Sequence, residues 1–277
     1  MNYELPNSKK LVKSVVRTID LLVLLMKSDK YLTLQEISSM LELPKSSTFE
    51  LVQTMLYKGI VEYKSEDHKS YGLSMLAYEI GSSVVDRLAV TNIARPYIQE
   101  LNRLTGGTAF LGVEDHGQIV YIDRAEDHSI VKASAKLGSR RNLNTTSLGK
   151  AILYAHSNDQ ILTILGPEPY STQTPLSHTT SVQVLTDAKI SRKRGYAIDD
   201  REDGPDMFCI GSAIRDRSGE AVASISVASI YSMLNERKKE LIAKHVVDTA
   251  MEISQKLGFT GDRIYKNEQD WRFKKDE

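Results

Sequence analysis

The chain has 277 residues, 41% apolar and 26% charged, an ordinary globular balance with enough material for two cores. Its 36 basic and 36 acidic side chains cancel, and they balance again within residues 1–90, which excludes net positive charge as a source of attraction to nucleic acid and leaves only local placement. A single cysteine, Cys209, excludes an intramolecular disulfide and suits a reducing cytoplasm.

Near the N-terminus, Met1–Lys10 lacks the apolar core of a signal peptide, and the apolar run Leu21–Met26 is too short to span a bilayer. A cytoplasmic location is therefore expected. Val12, Val15, Val16, Ile19, Leu22, Val23 and Met26 recur at helical spacing and predict a first amphipathic helix ending near Ser28-Asp29. Tyr31-Leu32-Thr33 reads as extended. Thr33 and Glu36 have the spacing of a capping box for a second helix that runs to about Leu41 and buries Leu34, Ile37 and Leu41. After the turn Glu42-Leu43-Pro44, a third helix is expected to carry Phe49, Val52, Met55 and Leu56 inward and to stop at Gly59. Ile60–Lys64 and Ser70–Leu73 read as a hairpin around a polar turn. Helix, helix, turn, helix and hairpin make a winged helix-turn-helix over residues 1–73.

Residues 74–105 read as a helical linker, broken or kinked at Pro96, with Leu76, Ile80, Val84 and Leu88 on one face. That stripe suits pairing with a second copy or packing on its own domain. From residue 106 to 277 the pattern is α+β with a mainly antiparallel sheet. Strands are expected at Thr108–Val113, Gln118–Asp123, Ile130–Lys136, Tyr196–Asp199, Phe208–Arg215 and Ala221–Ala228. Helices are expected at about Leu148–Ala155, Val182–Arg194 and Glu236–Leu257, the last burying Leu241, Ile242, Val246, Ile253 and Leu257. The tail from Thr260 reads as polar and frayed.

In a helix-turn-helix, the N-terminal part of the recognition helix meets base edges in the major groove. Here it offers Lys45, Ser46, Ser47, Thr48, Glu50, Gln53 and Thr54. Lys45 suits phosphate or guanine, the hydroxyls suit phosphate or bases, and Gln53 suits adenine. Lys64 and Lys69 flank the wing turn. Lys9, Lys10, Lys13 and Arg17 form a basic arm with no acidic residue between Leu5 and Ile19. Winged helices also serve as protein-interaction modules, so the fold alone does not decide.

Ordered along the chain are Val12-Lys13-Ser14-Val15-Val16-Arg17, Leu32-Thr33-Leu34-Gln35-Glu36-Ile37, Leu43-Pro44-Lys45-Ser46-Ser47, Gly59-Ile60-Val61 and Tyr71-Gly72-Leu73. Thr105-Gly106-Gly107-Thr108-Ala109, Thr146-Ser147-Leu148-Gly149-Lys150-Ala151, Arg194-Gly195-Tyr196-Ala197-Ile198-Asp199-Asp200 and Cys209-Ile210-Gly211-Ser212-Ala213-Ile214 follow. By their order and spacing the chain resembles the isocitrate-lyase-regulator (IclR) family of bacterial transcription factors over nearly all of residues 12–257. The resemblance implies a GAF-like effector-binding domain, dimers or dimers of dimers on palindromic double-stranded operators, and control by an organic, sugar or aromatic acid, with repression slightly favoured over activation. It implies an effector site at Ser147, Leu148, Gly149, Asp199, Met207, Cys209 and Ser226, in which backbone N–H groups of the helix near Gly149 hold a carboxylate. An ionised Asp199 would repel such an acid unless it accepted a hydroxyl from it, which points to a hydroxylated acid.

Two positions depart from the family pattern. Glu50 stands where an arginine is common and can accept from a cytosine amino group, implying an unusual operator. Ala228 stands where some relatives carry a pocket serine.

No catalytic residue, cofactor or metal is expected. The histidines show no metal-ligand spacing. Gly149-Lys150 is no phosphate loop, because Asn144 takes the place of its first glycine and Ala151 that of its Ser/Thr. The competing reading is a cysteine-dependent hydrolase built on Cys209.

Overall fold

The structure is a computed structural model that describes residues 11–63, 70–86, 89–126 and 135–266. Contacts divide the chain into two units, Met1–Arg87 and Leu88–Glu277.

In the first unit, α1 (Lys13–Lys27) turns only Leu21 and Leu25 fully inward. Most of the stripe expected to make it amphipathic faces out: Val12, Val15, Val16, Ile19, Val23 and Met26 are exposed. A short strand β1 (Leu32–Thr33) leads into α2 (Leu34–Met40). The capping box at its start is formed, with the Thr33 N–H donating to the Glu36 carboxylate at 2.8 Å and the Glu36 N–H donating to the Thr33 hydroxyl at 3.3 Å. The recognition helix α3 (Lys45–Tyr57) buries Thr48, Val52 and Met55. Phe49, expected inward, is instead 49% exposed. The difference is one step of 100° on the helix. Thr48 lies in line with Val52 and Met55, and its burial is tolerated because its hydroxyl donates to the Pro44 carbonyl at 3.1 Å. Gly59 follows with φ +76°, a left-handed turn that favours glycine and stops the helix. Strands β2 (Val61–Tyr63) and β3 (Ser70–Leu73) complete a sheet of order β1-β3-β2. Helix α4 (Met75–Asp86) follows, with Leu76 and Ile80 exposed. Val84 and Leu88, the rest of the expected linker stripe, lie outside the described side chains.

The second unit begins at α5 (Ala89–Thr105), which continues through Pro96 rather than breaking there. Its sheet comprises β4 (Thr108–Asp115), β5 (Gln118–Ala125), β6 (Arg140–Asn142), β7 (Ala197–Asp200), β8 (Met207–Arg215) and β9 (Ala221–Ile230). The order is β6-β5-β4-β9-β8-β7, and every neighbouring pair is antiparallel. Side chains alternate across it. Ala109 and Leu111 join the core shared with α5 and α9 (Glu236–Lys256), whereas Phe110 joins the core shared with α6 (Ser147–Leu153), α7 (Asn158–Leu165) and α8 (Ser181–Arg194).

Several expectations need correction. Of the strand expected at Ile130–Lys136, residues 130–134 lie outside the described residues, Ala135 and Lys136 are not in a strand, and the sixth strand is Arg140–Asn142. Leu241 is 44% exposed. Beyond α9 the chain does not fray at once: Ile264 and Tyr265 are buried. Tyr265 Oη accepts the Ala213 N–H at 3.0 Å and donates to the Ala151 carbonyl at 3.2 Å, so the segment is pinned across the sheet and α6. Among the described residues, no helix is long and apolar enough to cross a membrane.

Candidate functional site

The N-terminal half of α3 presents Lys45, Ser46 and Glu50 as exposed side chains, with Ser47 and Gln53 half-buried. Thr48 leaves the DNA-facing set, since its hydroxyl is buried and engaged. From α1, Lys13 and Arg17 reach the flank of the recognition helix. Together with Ser47, Glu50, Thr54 and Lys58 they rim a groove of about 720 Å³ floored by Val15, Leu51, Met55 and Ile60. Hence two cations of α1 and one at the end of α3 stand beside Glu50, the one acid in the described lining of that groove. Lys58 was not anticipated, because it falls beyond the residues that read as a base-facing set. Lys9, Lys10, Lys64 and Lys69 lie outside the described residues.

A cavity of about 190 Å³ opens in the second unit between the sheet and the start of α6. Ser147, Asp199, Met207, Cys209 and Ser226 line it, five residues separated by up to 79 positions that the antiparallel ladder brings together. Asp199 pairs with Cys209 across β7–β8, and Ser226 lies opposite both Phe110 and Gly211. Leu148 and Gly149 do not line it. Leu148 is buried in the core, and Gly149 is a packing residue: a Cβ there would lie 2.5 Å from the Leu143 Cα and 2.6 Å from its carbonyl oxygen. At the start of α6 the Gly149 N–H is engaged within the chain, donating to the Thr146 hydroxyl at 3.1 Å. Ala228 is in the lining, as its comparison with a pocket serine implied.

The lining adds Arg141, Asp203 and Tyr121, which sequence reading missed. Arg141 arrives from β6, and its Nε lies 3.5 Å from Asp203 Oδ2. Asp203 is fixed in turn by the Thr145 hydroxyl, which donates to its Oδ1 at 2.9 Å. The signals present in the sequence were the Arg140-Arg141 pair just before Thr145–Gly149 and the acidic run after Asp199.

Asp199 is 2% exposed, and its Oδ1 accepts the N–H groups of Glu202 at 2.7 Å and Asp203 at 3.2 Å. Burial pushes its carboxyl up to about 7 despite those two donors, with Glu202 and Asp203 adding repulsion. Burial also raises the Cys209 thiol, and Asp199 beside it raises it further, so the group is held as a thiol rather than a nucleophilic thiolate. Behind the cavity wall, the fully buried Lys150 ammonium donates to Asp187 Oδ2 at 3.0 Å, to the Ile198 carbonyl at 3.1 Å and to Glu202 Oε1. Burial holds Glu202 above the usual carboxylate range. For Asp187 burial works in the same direction, but Lys150, Tyr154 and Arg194 outweigh it and bring the group below that range. The site is thus a small mixed cavity: one guanidinium, two carboxylates of which one is about half protonated at pH 7, hydroxyls, and apolar walls from Phe110, Tyr121 and Met207. It suits a small anion that also offers or accepts a hydrogen bond.

A family model described as "Bacterial transcriptional regulator IclR C-terminal" matches residues 82–255, and one described as "IclR helix-turn-helix domain" matches residues 14–65. The chain is 30% identical over 253 residues to the HTH-type transcriptional repressor AllR of Escherichia coli (strain K12), covering 91% of this chain and 93% of that protein. The crystal structure of the Thermotoga maritima IclR superposes with a TM-score of 0.78 at 27% identity, over 89% of this chain and 99% of that one. An IclR homolog from Microbacterium hydrocarbonoxydans, complexed with 4-hydroxybenzoate, shares the fold with a TM-score of 0.74 at 19% identity, over 88% of this chain and 98% of that one.

Proposed function

The chain belongs to the IclR family of bacterial transcriptional regulators, and on that premise we propose that it is a repressor whose hold on a palindromic operator is altered by a small acid in the cavity of the second unit. Membership makes the first unit a DNA-binding domain and removes the cysteine-hydrolase reading. Repression is carried over from AllR, a relative named as a repressor. The observation that carries the effector reading is that Arg141 and the half-protonated Asp199 line one cavity. A guanidinium attracts a carboxylate, and a neutral carboxyl can both donate to and accept from a second group. The homolog complexed with 4-hydroxybenzoate holds a molecule of that hydroxy-acid kind.

The two-fold operator rests on self-association through α1. Val12, Val16, Ile19, Val23 and Met26 are spaced 4, 3, 4 and 3 residues apart and are all exposed. That is the a/d seam of a helix pair, and a symmetric dimer matches a palindrome. DNA contacts would come from Lys13, Arg17, Lys45, Ser46, Ser47, Glu50 and Gln53, with the wing lysines Lys64 and Lys69.

A thermal-shift panel of lactate, 4-hydroxybenzoate, acetate and benzoate tests the effector class, because a ligand of the native state raises its apparent stability. A hydroxylated acid is expected to raise the melting temperature, and Arg141→Ala to abolish the rise. Tight binding of acetate or benzoate with none of the hydroxy acids would contradict the reading.

A further inference from the structure

Phe49 departs from what its residue type predicts, as do Met40 and Tyr57 in the same unit. It is 49% exposed on a helix whose core closes without it: it is neither among the buried residues of the first unit nor among those packed against them. Its neighbours on that surface are Ser46, Glu50 and Gln53, all bearing groups that can address a base edge. It stands at the fifth position of α3, within the N-terminal half that enters the major groove in a helix-turn-helix. Phe49 is also absent from the lining of the groove against α1, whereas Glu50 is part of it, so the ring lies on the other flank of the helix.

An aromatic ring gains nothing from a phosphate. Among the groups at the floor of the major groove, the thymine 5-methyl is the one apolar partner. We propose that Phe49 is a specificity residue that covers a thymine methyl in each operator half-site. The inference rests on the DNA-binding reading and adds to it a base preference set by an apolar contact.

The test uses the full chain. Duplexes are selected from a random library, and each thymine of the selected half-site is replaced in turn by deoxyuridine, which removes the methyl alone. One position per half-site is expected to lose affinity by about fourfold, the worth of one buried methyl group. With Phe49→Ala, thymine and deoxyuridine duplexes are expected to bind equally, while low-salt binding to unselected duplex stays at the wild-type level and reports an intact fold. Phe49→Leu is expected to keep part of the discrimination. Equal binding of thymine and deoxyuridine by the wild type at every position would overturn the proposal. So would discrimination that survives Phe49→Ala, or a Phe49→Ala variant whose change is in self-association measured by sedimentation. If the wild type bound no duplex even at low salt, the DNA-binding reading itself would fall.

Discussion

Asp199 carries a carboxyl where burial disfavours charge, and its raised value of about 7 gives it a sign in both folding and binding. An acid held above its unfolded value binds its proton more tightly in the folded chain. Its contribution to stability is complete below about pH 4 and declines as pH rises through about 7. The same titration bears on an acid effector, which is repelled once Asp199 ionises. Affinity of the wild type for a hydroxy acid is expected to fall by about tenfold between pH 6 and pH 8, and Asp199→Asn is expected to flatten that profile. Calorimetric titrations at several pH values measure it; a steep profile retained in Asp199→Asn would place the titrating group elsewhere. Of the residues lining this cavity, Ser147, Asp199 and Cys209 were legible through their place in family motifs, and Met207, Ser226 and Ala228 through the positions that the resemblance implies. Arg141 and Asp203 were not, because β6 pairing and the turn after β7 bring them there, and neither leaves a periodic signal. Phe49 and Thr48 were exchanged for a related reason. Hydrophobic spacing assigns the phenylalanine inward, yet a hydroxyl satisfied by its own helix is buried at little cost.

At the scale of elements, the cavity depends on how closely α6 approaches the sheet. Gly149 abuts the Leu143 backbone, and a Cβ at Gly211 would lie 2.7 Å from the Ser147 carbonyl oxygen. No side chain can yield at either contact, so backbone must move. Gly149→Ala is expected to lower stability by about 1–3 kcal/mol, the usual cost of overpacking, and denaturant unfolding measures it. An unchanged midpoint would show that α6 is not seated as tightly as its glycines require. Helix boundaries were well marked in the sequence where caps exist, as at Thr33 and Gly195. The docked Tyr265 segment was not legible, since its anchor is one hydroxyl bridging Ala213 and Ala151 within a polar stretch. Nor was the continuity of α5 through Pro96, because local sequence reports the lost hydrogen bond and not the packing of Ala94, Ile98 and Leu101 that offsets it.

For the whole molecule, neutral net charge means that DNA binding rests on a few placed groups, and the proposed dimer would bring two sets of them to one duplex. Ile19→Glu puts a charge in the exposed α1 seam without touching the buried Leu21 and Leu25. It is expected to shift sedimentation toward monomer and to weaken binding to a palindromic duplex more than to a single half-site. A variant that stayed dimeric would move the interface away from α1. The central claim is that the cavity and the DNA-binding domain are energetically linked, and linkage is reciprocal. The most direct measurement is the affinity of the full chain for its selected operator, by fluorescence anisotropy, with and without the hydroxy acid that gives the largest thermal shift, alongside the affinity for that acid with and without operator. The two ratios are predicted to be equal and clearly different from one, and to collapse to one in Arg141→Ala. Equal affinities in every arm, with the acid bound, would contradict the account.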